Sequence, residues 1–299
     1  MLGIRRPGLC QAGGQEAING YPMAPSLLNG FFRAVLEAVY PTRCYVCDDY
    51  FDVSPVPVNF SGGLPDPAET GNRMFTALMA EHMCPACAAD FVPIGSPLCP
   101  ACGIVFKSSH GPDHVCGECR RLPKHYRSAR AAGIYEKSLM TALQQLKYKG
   151  NVELARPLGR LLLSAFLRWY APEPPDLIIP VPLHARKQRQ RGFNQAWLLL
   201  REWQRSAVDG SPLFSAGKFK KDLLIRNRMT RSQTTLSRRE RQENVRGAFT
   251  LKDKSEVKGK SVLLVDDVYT TGATVNECAR ILTAAGAAQV DVLTVARVR

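Results

Sequence analysis

The stretch at residues 262–274, VLLVDDVYTTGAT, constrains the fold of this chain more than any other. Its four leading apolar residues, Val262 to Val265, show no polar alternation, which suits a strand covered on both faces, as in a parallel sheet. Asp266 and Asp267 then fall at the carboxyl end of that strand, the edge at which open α/β sheets bind ligands. Thr270, Thr271, Gly272, Ala273 and Thr274 follow, small and mostly hydroxylic, and a helix is predicted to begin near Ala273. Backbone N–H groups and hydroxyls at a helix start hold a phosphate dianion, because the donors lack helical partners and the dipole favours negative charge. Two carboxylates repel such a phosphate, so they suit ribose hydroxyls or a hydrated Mg²⁺ beside it. A ligand carrying ribose hydroxyls next to a 5′-phosphate satisfies both halves. A plain strand–turn–helix with a polar N-cap accounts for neither the acid pair nor the run of threonines. The nucleotide-hydrolase loop Gly-x-x-x-x-Gly-Lys-Ser/Thr is absent from the sequence.

This segment resembles the phosphoribosyl-pyrophosphate (PRPP) signature of type I phosphoribosyltransferases: two acids after an apolar strand, then Thr-Thr-Gly-Ala-Thr, in that order. The 299 residues are enough for one large or two modest domains, and a 45% hydrophobic content is ordinary for globular protein. The formal net charge of +14 predicts attraction to polyanions, either phosphorylated small molecules or nucleic acid, without choosing between them. No apolar run approaches the roughly 20 residues of a membrane span. The first residues, MLGIRRPGLCQAGGQEAING, have arginines but no continuous apolar core, unlike a secretory signal, so a cytoplasmic location without membrane insertion is expected.

Eight of the ten cysteines form four Cys-x-x-Cys pairs: Cys44/Cys47, Cys84/Cys87, Cys99/Cys102 and Cys116/Cys119. Zinc wants four tetrahedral ligands, which two such knuckles supply, so two structural Zn²⁺ ions are expected. The sequential pairing, first with second and third with fourth, has the third and fourth pairs making a short ribbon; an interleaved pairing is the alternative. Redox-active dithiols are the competing use of such pairs. His82, His110 and His114 lie near the cysteines, but eight thiolates already complete two sites. Cys278 reads as a small core residue on the helix after Gly272, and Cys10 stands alone.

Along the chain, residues 1–25 are expected to be disordered, with Met23 an alternative start, and LLNGFFRAVLEAVY after Ser26 has helical spacing. Residues 41–122 make the cysteine region, interrupted at 50–82 by a stretch rich in proline, glycine and acids that reads as an extended insertion. From 126 to 299 strands alternate with helices, which predicts an α/β domain with a mostly parallel sheet. A strand is expected around Ala129–Tyr135, then a helix and a lysine-rich loop, Leu146-Lys147-Tyr148-Lys149-Gly150. Further expectations are a helix over 151–170, a strand at Leu177–Val181, a helix over Asn194–Arg205 and a last strand at Gln289–Arg297. Residues 226–248, basic and without apolar periodicity, read as a mobile hairpin or loop.

Lys147 to Gly150 offer two cations beside a glycine, which suits a pyrophosphate group; a solvated basic helix end is the alternative use. Ile179-Pro180-Val181-Pro182-Leu183-His184 and Arg189-Gln190-Arg191-Gly192-Phe193-Asn194-Gln195-Ala196 set a strand end and a helix start around an arginine cluster. Arg226, Thr230, Gln233, Leu236, Arg241, Asn244 and Phe249 follow at irregular spacing, which argues for a site-lining loop. With the cysteine pairs, these motifs together resemble the ComF/GntX family over roughly residues 41–299, without the first 40 residues and the insertion at 50–82. The resemblance implies a double zinc ribbon joined to a type I phosphoribosyltransferase domain, and a link to competence for DNA uptake. By that resemblance Asp266 and Asp267 take the ribose diol as the catalytic acids, and Thr270, Thr271, Gly272, Ala273 and Thr274 the 5′-phosphate. Lys147, Tyr148, Lys149 and Gly150 would hold the pyrophosphate, with Mg²⁺ accompanying PRPP, and the loop bearing Arg226, Thr230, Gln233, Arg241 and Asn244 would close over them. No acceptor pocket is visible. Two functions compete: a phosphoribosyltransferase with an unknown acceptor, and a zinc-containing factor handling single-stranded DNA alongside the competence machinery, with PRPP only a ligand or the site vestigial. Tyr45, Phe106 and Tyr126 are candidate base-stacking residues in the second.

Overall fold

The computed structural model describes residues 41–53, 67–107, 110–206, 215–230 and 238–299. The expectations for residues 1–40, and those for Gln233 and Leu236, fall outside them. Among the described residues six strands are formed: β1 (Ser128–Ile134), β2 (Leu177–Pro180), β3 (Leu224–Arg226), β4 (Phe249–Leu251), β5 (Ser261–Tyr269) and β6 (Gln289–Arg297). Four of them build a parallel sheet in the order β1-β6-β5-β2, while β3 and β4 pair as a separate antiparallel ribbon. The helices are α1 (Pro67–Leu78), α2 (Pro85–Ala88), α3 (Gly117–Arg121), α4 (Lys137–Gln144), α5 (Ala155–Trp169), α6 (Ala185–Arg191), α7 (Gln195–Ser206), α8 (Arg238–Val245) and α9 (Ala273–Ala284).

The near-continuous apolar strands are explained by burial on both faces. Successive residues point to opposite sides, so Leu263 and Val265 of β5 join Leu158, Leu162 and Phe166 of α5 and Leu199 and Trp203 of α7. Val262 and Leu264 join Val275, Cys278 and Leu282 of α9 on the other side. The α5–α7 contact is close enough to require a glycine. A Cβ on Gly159 would stand 2.6 Å from the Leu199 carbonyl oxygen, and Trp203 Nε1 donates to the Gly159 carbonyl at 2.9 Å.

The cysteine-rich segments belong to the same compact unit, Thr42–Arg299, and share its apolar clusters. Cys44 packs with Met79, Met83 and Phe91 in the α5–α7 cluster, and Cys99, Cys102 and Cys119 pack in the α9 cluster.

Four expectations need correction. The stretch at 50–82 is not extended throughout: α1 forms within it, and Phe75 and Met79 are fully buried, Phe75 stacked on Phe91 at 4.3 Å between ring centroids. Apolar residues at Met74, Phe75, Leu78 and Met79 carry the helical period that the surrounding proline and glycine obscure. The lysine-rich loop is instead a π-helical turn, Gln145–Lys149, continuing α4. The strand bearing the acids runs on to Tyr269, so Asp266 and Asp267 lie within its carboxyl-terminal part. Residues 226–248, read as a hairpin or loop, do connect the antiparallel strands β3 and β4, but α8 occupies Arg238–Val245 within them.

Candidate functional site

The carboxyl ends of β5 and β2, the turn at 145–149 and the start of α9 enclose one cavity. Its floor is the acid pair. Lys147 Nζ meets Asp267 Oδ1 at 2.8 Å, with the two side chains only 13% and 6% exposed. The other Asp267 oxygen, Oδ2, is buried and has no hydrogen-bond partner. Asp267 N–H donates to Asp266 Oδ1 at 2.9 Å, which ties the two acids together. Burial, and then the neighbouring Asp267 carboxylate, push the Asp266 carboxyl up to about 7, against the pull of Lys147 and Arg226. Burial works against the Lys147 cation, but Asp267 outweighs it and raises its pKa, so the lysine stays protonated.

A carboxyl raised in the folded state keeps its proton between its ordinary value of 3.8 and about 7. In that window folding takes up a proton, so this group's contribution to stability is fully present below 3.8 and is lost as pH rises to about 7. Ligand hydroxyls donate better to the ionised form. Affinity for a diol ligand is therefore expected to climb as pH rises through about 7 and then level off. Titrations across that range on the parent and on Asp266→Asn check this; the variant should lose the climb.

Beyond the acids, the chain turns at Gly272, whose φ of +74° is left-handed and which precedes the first residue of α9. A Cβ there would stand 2.1 Å from the Tyr269 hydroxyl, so the position excludes any side chain. Neither aspartate caps α9. Thr270, Gly272, Ala273 and Thr274 line the cavity, while Thr271 turns its Oγ1 to accept from the Ala273 N–H at 3.4 Å. Lys147 and Tyr148 line it too; Lys149 and Gly150 do not.

Cations supply the remaining wall. Lys187 and Arg191, one helical turn apart on α6, reach the cavity together with Gln195, Arg226 and Thr230. Arg226 donates to Thr230 Oγ1, while its Nε is buried without a partner. Burial, then Arg226 and Arg191, lower the Lys187 pKa. Arg191 donates to Gln195 Oε1 at 2.7 Å and lies 5.5 Å from the Tyr148 ring centroid, linking α6 to the 145–149 turn. Sequence reasoning saw arginines here as a cluster; Lys187 and Arg191 share a helix face at i, i+4, but the sequence alone does not say that this face meets the site. Arg241 and Asn244 lie on α8 and do not line the cavity.

The cysteines gather as two sets in sequential order, Cys44/Cys47/Cys84/Cys87 and Cys99/Cys102/Cys116/Cys119, each with its sulfurs within 4.8 Å of one another. The interleaved alternative is not what the fold makes. Cys47 and Cys84 sulfurs lie 3.9 Å apart, and those of Cys102 and Cys116 3.8 Å. Tetrahedral zinc with bonds of about 2.3 Å needs sulfur–sulfur edges of about 3.8 Å, so both sets fit that ion. Burial opposes ionisation of Cys44 and Cys99, but backbone N–H donors outweigh it and lower each to about 7. Among the described residues no histidine joins either set; His82 stacks on Tyr45 and His114 on Phe106.

Comparison with known proteins agrees with this architecture. Residues 220–299 match the model of the phosphoribosyl transferase domain family. The DNA utilization protein YhgH of Escherichia coli K12 is 37% identical over 201 residues, covering 65% of this chain and 82% of that protein. Competence protein F of Haemophilus influenzae is 32% identical over 207 residues, covering 67% of this chain and 85% of that protein. Competence protein ComFC of Bacillus subtilis is 28% identical over 266 residues, covering 87% of this chain and 96% of that protein. With its two four-cysteine clusters set against a phosphoribosyltransferase-type parallel sheet, the chain belongs to the ComF/GntX family.

Proposed function

We propose that this chain is a PRPP-binding, phosphoribosyltransferase-like protein serving DNA uptake or use, as the names of its relatives indicate for them. The observation that carries the reading is Asp267, with one oxygen on Lys147 and the other buried and unsatisfied beside a helix start. An orphaned buried carboxylate oxygen is costly unless something fills it, and a ribose hydroxyl or a hydrated cation does so. Asp266 and Asp267 then hold the diol, and the 270–274 loop the 5′-phosphate. Lys147 and Tyr148 face the pyrophosphate from the 145–149 turn, and Lys187, Arg191 and Arg226 add positive charge. A Mg²⁺ ion bound with PRPP would neutralise pyrophosphate charge, and the Asp266/Asp267 carboxylates are the oxygen donors placed for it. Two Zn²⁺ ions in the cysteine sets are structural, since four thiolates leave no open position.

The test is calorimetry with PRPP and Mg²⁺, followed by measurement of pyrophosphate release with candidate acceptors. Saturable Mg²⁺-dependent binding supports the reading, and release with one acceptor makes the protein a transferase. Binding without release for every acceptor favours PRPP as a ligand only; no binding contradicts the reading.

The net charge of +14 favours a second activity, binding of single-stranded DNA through its phosphates. Affinity is expected to fall steeply between about 50 and 200 mM salt, as counterion release requires; affinity insensitive to salt would contradict it. Base stacking on Tyr126 is excluded, since that ring is buried and its hydroxyl meets that of Tyr269 at 2.6 Å.

A further inference from the structure

One buried arginine joins the second cysteine set to the candidate phosphate loop. Arg297 closes β6 and is only 6% exposed. Its Nη1 donates to the Cys102 carbonyl, and its Nη2 lies 3.5 Å from Cys102 Sγ. The guanidinium carbon stands 4.3 Å from the centre of the Tyr269 ring. Tyr269 is the residue opposite Arg297 in the β5–β6 register, and Val298 N–H donates to the Tyr269 carbonyl at 3.0 Å. The Tyr269 phenol, in turn, fills the space in which a Gly272 side chain would stand. The contacts therefore run without a gap from a cysteine sulfur to the residue that shapes the 270–274 loop.

Charge gives this path a direction. Among the described residues Arg297 makes no ion pair with a carboxylate, and its Nε is buried without a hydrogen bond. Four thiolates around a divalent metal carry a formal charge of −2, which supplies the missing counter-charge. Metal loss frees the four sulfurs that the ion gathers, so the Cys102 carbonyl and sulfur that hold the guanidinium lose their fixed position. The Tyr269 ring beneath the guanidinium then loses its support.

We propose that the metal-bound thiolates of Cys99, Cys102, Cys116 and Cys119, acting through Arg297 and Tyr269 as positioning residues, hold the 270–274 loop in its phosphate-binding shape. Metal occupancy of that set and PRPP binding then favour one another. The proposal rests on the PRPP reading of the loop. Linkage makes it reciprocal: whatever factor the metal adds to PRPP affinity, PRPP adds to metal affinity.

The experiment uses the full zinc-loaded chain. Zinc affinity is measured by equilibrium competition with a chromogenic chelator, with and without Mg²⁺–PRPP, and PRPP affinity is measured on the parent, Arg297→Met and Arg297→Lys. One of the two ions is expected to be held more tightly with PRPP present, by about five-fold or more. Arg297→Met should erase that difference and weaken PRPP binding by about ten-fold or more. Arg297→Lys keeps the charge but loses the planar fork, and should fall between. If Arg297→Met fails to fold, Tyr269→Phe takes its place: it removes the hydroxyl that lies against Gly272 and meets the Tyr126 hydroxyl at 2.6 Å, and should weaken PRPP while retaining both ions. A parent chain that binds PRPP while its zinc affinity ignores PRPP overturns the coupling alone. Unchanged PRPP affinity in a folded Arg297→Met or Tyr269→Phe chain does the same. A parent chain that binds no PRPP overturns the site reading and the coupling with it.

Discussion

Protein purified without chelator is expected to carry two zinc ions per chain, and stripping both is expected to abolish its cooperative melting transition. Cys44, Cys99, Cys102 and Cys119 are buried in the same apolar clusters as the sheet and its helices, so each metal closes part of the core. Structural zinc contributes on the order of 10–16 kcal/mol in small fingers. A whole domain has a net stability of only about 5–15 kcal/mol. Losing two such ions therefore exceeds what the remaining contacts supply. Elemental analysis and a thermal melt before and after chelation check this; folded protein with almost no zinc would contradict it. Cys44→Ser should lose one ion and also disturb the ligand site. Tyr45, beside Cys44, accepts from Gln145 Nε2 at 3.2 Å where the 145–149 turn begins. The metal region and the cavity above the acid pair therefore share a fold, and damage to either is expected to be felt by both.

The acid pair carries the second large effect. Hydrogen bonds to a charged carboxylate contribute about 1.5–3 kcal/mol each. Asp266→Asn together with Asp267→Asn replaces both charged acceptors without changing side-chain volume. PRPP affinity is expected to fall by roughly two to four orders of magnitude, at about 1.4 kcal/mol per decade. Stability should fall too, since Lys147 is nearly buried and loses its counter-ion at 2.8 Å.

Much of this site was legible because its parts lie together in the chain. The apolar run, the acids, the threonines and Gly272 occupy 13 consecutive positions, and each constrains its neighbour's geometry. The cysteine knuckles were equally plain, since the spacing is itself the ligand geometry, although only the fold decided which knuckles pair. The cation wall was harder. Lys187, Arg191 and Arg226 come from α6 and β3, far from Asp266 in sequence, and nothing local states which basic residue turns inward. Helix α1 was missed because proline, glycine and acids at its start outweigh, in a window, the apolar residues Met74, Phe75 and Leu78. Helix α8 was missed for a different reason: its sequence, RRERQENV, has almost no apolar face, and Val245 is its buried residue among the described side chains. Arg297 was invisible as anything but the end of a strand. Its meaning comes from meeting Cys102 across 195 positions of chain.

The central claim is that Asp266 and Asp267 receive the ribose diol of PRPP. The direct test is PRPP affinity in the presence of Mg²⁺, measured together with melting temperature, on the parent and on the Asp266→Asn/Asp267→Asn double variant. The claim predicts saturable binding by the parent, and a variant that still melts cooperatively while its affinity falls by roughly two orders of magnitude or more. A folded double variant that binds PRPP as tightly as the parent would contradict it.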